Sequence, residues 1–363
     1  MIDGCMIFRQ VRHDLFGSKD AQDASTLTYT WVADQFGHVT LGFIVTLALW
    51  AFLLIKWAAI VVAIIIVVKE AYDYFCELNQ RQCAFRFDWT DVLFNCVTSV
   101  IYTWIGAAVA VTAVLFPAWW GLLAALVLVV LSLPIATYWL RRKIALQQSD
   151  APFLYRLANF PENFAGADAP GIITNLVAPT APQFRHVVLT GPLNSGKTSL
   201  AVGTATEFGY RAGLCRFISL VKLAQTRFSP GHGMTERPGL HAGTTFQDGR
   251  TIWPLNAVEL LVVDDSDGGI PQLEIEPCRI KDALIAQLGN DFFSLMKGRR
   301  TLWVAGTNDH AQSWYTLVAS LLTDGNTDRI GKVALREDLQ NTLRPRRRWL
   351  MMTRGARLRA RPH

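Results

Sequence analysis

Apolar positions dominate the first 140 residues, whereas after about residue 185 short apolar runs alternate with polar turns. From Val39 to Val68 the one charged side chain is Lys56. About 20 apolar residues suffice to cross a bilayer, so this run predicts two connected spans, at 36–55 and 57–75, turning at Ile55-Lys56-Trp57. One long tilted helix is the alternative. A second pair comes next: Asp91 to Val114, an aromatic turn at 116–121, and Leu122 to Leu140, where Pro134 predicts a kink.

Four spans put both termini on one side. Arg81, Arg86, Arg141, Arg142 and Lys143 fall on that side, against Lys56 alone on the other. The excess of positive charge on the cytoplasmic side predicts a multi-pass protein of the inner (cytoplasmic) membrane, with both ends in the cytoplasm. The same topology gathers His38, Glu70, Asp73, Asp88, Asp91 and Asn95 at the cytoplasmic headgroup level. As helix caps they would bind water or lipid headgroups; as a cluster they would form a lipid-acting or metal-binding pocket. The spacing His38-x3-Gly42, Lys69-Glu70, Phe87-Asp88-x2-Asp91-x3-Asn95 and Gly106 resembles the VanZ-like group of small membrane proteins over about 34–110. The glutamine that group carries after the glutamate is absent here.

Beyond the membrane half, 146–184 holds five prolines (Pro152, Pro161, Pro170, Pro179, Pro182) with several Ala and Gly. It reads as a linker packed loosely on the domain downstream of it. The strand His186-Val187-Val188-Leu189-Thr190 then leads into Gly191-Pro192-Leu193-Asn194-Ser195-Gly196-Lys197-Thr198, with Ser199 continuing into a helix over 197–209. This fits the phosphate-loop pattern at each fixed position, in its strand–loop–helix context. The glycines let backbone N–H groups converge on an anion, and the helix adds its positive end. Lys197 is expected to reach the β- and γ-phosphates of ATP and Thr198 to hold Mg²⁺.

Further on, Arg216 to Leu220 reads as a strand and Val221 to Gln225 as the start of a helix. Ser229 to Gly243 reads as a mobile loop, and Thr244 to Trp253 as a hairpin turning on Asp248-Gly249. Val258 to Asp265 gives a buried strand ending in two acids: Asp264 would hold Mg²⁺ through water and Asp265 would orient the attacking water. Thr301 to Gly306 is another strand, delivering Asn308 between the acids and the γ-phosphate. A GTPase reading is disfavoured: Asp265-Ser266-Asp267-Gly268 matches D-x-x-G, but the N-K-x-D guanine signature is missing at Thr307-Asn308-Asp309-His310.

Over about 185–335 the chain resembles the AAA+ ATPases, more narrowly their IstB/DnaC-like loader branch. The resemblance implies a parallel sheet with nucleotide at the carboxyl ends of its strands. It also implies a γ-phosphate sensor at Asn308 and an arginine finger at Arg329 acting on a neighbour, hence a homo-oligomer. Two departures argue against a vigorous motor. Asp265 replaces the usual Glu, and only about 20 residues come after Leu343, too few for a helical lid.

The net charge of +6 is local. Eight arginines lie between Arg344 and Arg361 without an acid, leaving −2 for the rest. Such a tail suits anionic lipid, nucleic acid, or simple solvation. The six cysteines show no paired spacing and read as reduced thiols. The expected fold is an α-helical membrane domain joined to an α/β nucleotide domain with a mainly parallel sheet. Its segments are a cytoplasmic N-terminal piece (1–35), membrane domain (36–145), linker (146–184), nucleotide domain (185–343) and arginine-rich tail (344–363). The expected function is an ATP-binding and hydrolysing protein whose nucleotide state controls oligomerisation or the membrane domain. A nucleotide-gated effector or scaffold with little turnover, and a tethered protein acting on nucleic acid, are the alternatives.

Overall fold

The computed structural model of the chain describes residues 4–16, 27–79, 85, 89–116, 118–160, 166, 168–192, 195–211, 213–225, 227–229, 233–235, 255–264, 277–306 and 311–336. A short helix α1 (Gly4–Phe16) precedes four long ones: α2 (Leu27–Trp50), α3 (Ile55–Asn79), α4 (Trp89–Leu115) and α5 (Ala118–Gln148). Three stretches among the described residues are long and apolar enough to cross a membrane: Leu27–Trp50, Val92–Leu115 and Trp119–Gln148. The protein is therefore membrane-associated by length and composition of these helices. The remaining long helix, α3, is charge-free over only 57–68, with Lys56 on one side and Lys69, Glu70 and Asp73 on the other.

Two expected boundaries move. The first long helix begins at Leu27, nine residues before the expected 36, because Thr28, Trp31 and Gln35 turn inward instead of lying ahead of the bilayer. The turn expected at 55–57 falls at 51–54, so two helices, not one tilted helix, occupy this run. α5 passes through Pro134 without interruption.

α2 and α4 pack backbone to backbone. A Cβ added at Gly42 would run into the Thr103 carbonyl oxygen, and one at Gly106 into the Val39 carbonyl oxygen. Small residues at a crossing are what let apolar helices gain dispersion contacts where lipid offers no hydrophobic drive. Aromatic packing secures α5 to the pair: Phe94 stacks on Trp139 at 5.7 Å, and Trp139 Nε1 donates to Thr98 Oγ1 at 3.0 Å. Outward, Phe36, Ile44, Ile64, Val68, Leu122, Leu126 and Leu131 are exposed, forming an apolar belt of the kind a bilayer covers.

The second half is a five-stranded parallel sheet: β1 (His186–Thr190), β2 (Cys215–Ser219), β5 (Leu260–Asp264), β6 (Arg300–Val304) and β7 (Ile330–Ala334). Their order is β2-β5-β6-β1-β7. Helices α7 (Lys197–Tyr210), α8 (Leu220–Gln225), α9 (Pro277–Lys297) and α10 (Ala311–Leu322) connect them. Short strands β3 (Arg227–Ser229) and β4 (Gly233–Thr235) pair antiparallel across the start of the stretch expected as a loop from Ser229. The expected hairpin at 244–253 lies outside the described residues.

Strand residues alternate between two cores, as a pleat dictates. Val188, Ile218, Val263 and Trp303 join α9 and α10, whereas Val187, Leu189, Phe217, Val262 and Leu302 join α7. The first core continues to Trp139, Ile144 and Ala145 of α5 and Trp31 of α2, so one apolar cluster spans both halves. The expected loose linker is instead part of the second core. Helix α6 (Ala169–Val177) buries Ile173 and Leu176 completely, and Leu157 and Phe160 are buried beside them. Proline here starts and ends short elements rather than keeping the chain extended.

Candidate functional site

Strand β1 is fully buried, and its parallel pairing with β6 and β7 holds it at the centre of three strands. Because its neighbours run the same way, the chain leaves it at a sheet edge where three carboxyl ends converge. There the Gly191 N–H donates to the Gly306 carbonyl at 3.3 Å, tying the loop to the end of β6. Gly196 caps α7 with φ 85°, a left-handed conformation that glycine adopts without strain.

The Lys197 ammonium donates to the carbonyls of Gly191 (2.6 Å) and Pro192 (3.0 Å), so it lies inside the curve of the loop. The Thr198 hydroxyl donates to Asp264 Oδ1 at 3.4 Å. Asp264 ends β5 and is 1% exposed. Ser199 is half-buried in the first turn of α7. Ser195 is 2% exposed, and its hydroxyl has no hydrogen-bond partner among the described residues. A buried hydroxyl left unpaired costs free energy, so its place beside the Lys197 ammonium at the start of α7 fits an anionic ligand. The hydroxyl of Thr198 and the carboxylate of Asp264 make the hard oxygen set that Mg²⁺ prefers.

Of the expected site residues, Gly191, Pro192, Ser195, Gly196, Lys197, Thr198, Ser199 and Asp264 come together. Leu193, Asn194, Asp265 and Asn308 lie outside the described residues. The end of β6 does separate β1 from the acid-bearing β5. Arg329 stands apart. It precedes β7, whose Ile330 aligns with His186 at the start of β1, whereas the loop leaves from the far end of β1. Four residues of strand, roughly 13 Å, plus the loop itself separate it from the Lys197 loop of its own chain. Beside it, the Asp324 carboxyl is held below the usual carboxylate range by the Lys297 ammonium at 2.6 Å, with a smaller contribution from Arg329.

The membrane polar residues form local sets. His38 contacts Asp34 (3.9 Å) and Thr103 (3.5 Å), while Glu70 and Asp73 share Lys69 at 2.7 and 2.9 Å. Glu70 is buried, whereas Asp73 and Asn95 are exposed. Asp88 and the side chain of Asp91 lie outside the described residues. Among the described residues, no group of three His, Cys, Asp or Glu is arranged to hold a metal.

Sequence reasoning missed a buried polar chain beneath β1. His186 Nδ1 meets Thr301 Oγ1 at 3.0 Å, and Trp303 Nε1 donates to the same oxygen at 3.0 Å. Burial, aided by the Arg185 charge, brings the His186 pKa down to about 4, so the ring is neutral at pH 7. A histidine opening an apolar strand was the one available signal.

No protein-family model matches the chain, and no curated protein matches it.

Proposed function

We propose that the protein is a membrane-anchored, cytoplasm-facing ATPase in which α3 completes a four-helix membrane domain. The observation that carries this reading is the loop between β1 and α7, with Lys197 folded into it and Asp264 beside Thr198. Lys197 would hold the β- and γ-phosphates of ATP, and Thr198 with Asp264 would hold Mg²⁺, which neutralises charge as it develops in phosphoryl transfer. Asp265 would orient water and Asn308 would sense the γ-phosphate. Supporting the fourth span, α3 exposes Ile60, Ile64, Ile65 and Val68, and lysines at both ends of its apolar stretch have the reach to snorkel to the interfaces. The position of Arg329 supports a homo-oligomer, since a γ-phosphate within its reach would belong to a second copy. The arginine-rich tail would rest on anionic lipid next to the membrane.

A nucleotide-gated switch with little turnover is the second reading. It is favoured by Asp265, whose side chain is one methylene shorter than glutamate. One experiment separates the two: MgATP binding and phosphate release by the full chain in nanodiscs, against Lys197→Ala. Losing one charge-assisted contact should weaken binding about tenfold to a hundredfold. Turnover well above the variant makes the protein an ATPase, and tight binding without turnover makes it a switch. If the wild type retains no nucleotide, or Lys197→Ala binds equally well, the reading is wrong.

A further inference from the structure

α5 does not end at the membrane. Its exposed large apolar residues stop at Leu133, yet the helix runs on to Gln148: Trp139 and Leu140 are buried, and so is its last turn from Ile144 to Gln148. There it lies on α7, the helix that begins at Lys197. A Cβ added to Gly209 would sit 3.2 Å from Leu146 Cδ2 and 3.5 Å from the Ala145 carbonyl, so the two helices touch almost without side chains between them.

Next to Gly209, Tyr210 gathers the joint. Its ring meets Trp139 edge-on at 6.0 Å. The Arg156 guanidinium lies over it at 4.0 Å and that of Arg142 at 5.5 Å. Arg142 stacks in turn on Tyr138 at 3.7 Å, and Arg156 Nε donates to Glu207 of α7 at 3.2 Å. The chain leaving α5 is fastened as well: the Phe217 N–H of β2 donates to the Ser149 carbonyl at 2.7 Å, and Leu27 N–H of α2 donates to Gln147 Oε1 at 3.1 Å.

The joint is tight but not fully satisfied. Gln147 Nε2, Gln148 Oε1 and Thr206 Oγ1, the last one turn before Tyr210, are buried without a hydrogen-bond partner among the described residues. Unpaired buried polar atoms raise the free energy of this arrangement. A second arrangement that pairs them needs only a modest bias, of the kind a ligand supplies by binding one state better.

We propose that α5 and α7 form one coupling element, in which Tyr210 passes movement of the phosphate-loop helix into the membrane helix. This coupling rests on the nucleotide-binding reading of the β1–α7 loop. Tyr210 touches no phosphate; it lies about 20 Å along α7 from Lys197, at 1.5 Å per residue, and acts by position. Because α5 is a single helix from lipid to joint, a tilt at Tyr210 has no loop in which to dissipate.

The test is hydrogen–deuterium exchange of the full chain in nanodiscs, with and without a Mg²⁺-bound non-hydrolysable ATP analogue. Binding of the analogue is measured in parallel. In wild type and Tyr210→Phe, exchange should change about threefold or more in peptides of 186–204 and also of 134–148. In Tyr210→Ala the first change should persist and the second vanish. Arg142→Gln, which withdraws one cation from the same ring, should weaken the second change and spare the first. An α5 response surviving Tyr210→Ala overturns the coupling, as does a wild type whose loop responds while α5 does not. A wild type that binds no analogue overturns the nucleotide reading and the coupling with it. If Tyr210→Ala loses the loop response as well, the Arg142→Gln result decides: loss confined to 134–148 supports the coupling, and an unchanged 134–148 response overturns it.

Discussion

The Thr198 hydroxyl and the Asp264 carboxylate, carried on α7 and β5, meet at 3.4 Å although 66 positions separate them in the chain. Two hard oxygens so placed would hold a divalent cation under the proposed reading. In Asp264→Asn the amide keeps the shape and loses the charge. Removing Mg²⁺ with EDTA should weaken ATP binding by wild type about tenfold or more, and should change binding by the variant little. Titration with a fluorescent ATP analogue measures both, and an undiminished Mg²⁺ response in Asp264→Asn would remove Asp264 from the metal site.

Within the membrane half, one methyl group should matter greatly at Gly106 and hardly at all at Gly37. Gly106 faces the Val39 carbonyl, whereas a Cβ at Gly37 would meet nothing within 4 Å beyond its own helix turn among the described residues. Gly106→Ala should cost about 1–3 kcal/mol by forcing the backbones apart. Gly37→Ala, in a helix interior, should be neutral or stabilise by up to about 1 kcal/mol. Thermal unfolding in detergent micelles separates the two, and equal midpoints would mean that α2 and α4 do not cross in backbone contact.

His186 makes stability depend on pH. Its folded pKa of about 4 lies below the ordinary histidine value of 6.5. Between those values the unfolded chain binds more protons than the folded one, so stability is constant above about pH 6.5 and falls as pH drops towards 4. The full effect is about 3 kcal/mol, at 1.36 kcal/mol per unit. Replacing the imidazole by an amide in His186→Gln should flatten the fall in unfolding midpoint between pH 6.5 and 4.5. A slope unchanged in the variant would assign the acid sensitivity elsewhere.

Arg300 ties the end of α6 to the sheet by donating to the carbonyls of Leu176 (2.7 Å), Ala178 (2.5 Å) and Thr180 (2.9 Å). Three acceptors in an arc suit a planar fork and not a point charge. Arg300→Lys should therefore lose about 1–3 kcal/mol. Faster hydrogen exchange at 169–180, with β1 unaffected, is the expected signature; uniform exchange across the domain would argue that the ties are incidental.

What could be read in the sequence was whatever lay within a few consecutive residues. The strand, glycine turn and helix around Lys197 lie within 25 adjacent positions, 186–210. Strand β5 is four apolar residues and an acid, and α7 and α8 begin where their neighbours say they should. What escaped depended on partners distant in sequence. Thr28 and Gln35 look like residues ahead of a membrane until α4 and α5 are beside them. Ile173 and Leu176 hide among prolines that suggested a loose linker. Lys56 drew the turn to itself, although the helix break falls at 51–54, where neither glycine nor proline marks it. Nothing local to Tyr210 announces the side chains that converge on it.

The unbroken run of α5 from Ala118 to Gln148 also makes chain length critical there. Ordinary connections between domains absorb an extra residue as slack. Here a single alanine inserted between Ala136 and Thr137 would swing everything beyond it by about 100° and advance it by 1.5 Å, turning Trp139 away from its place. The distance from the apolar helices to the parallel sheet is thus fixed in angular phase as well as in ångströms.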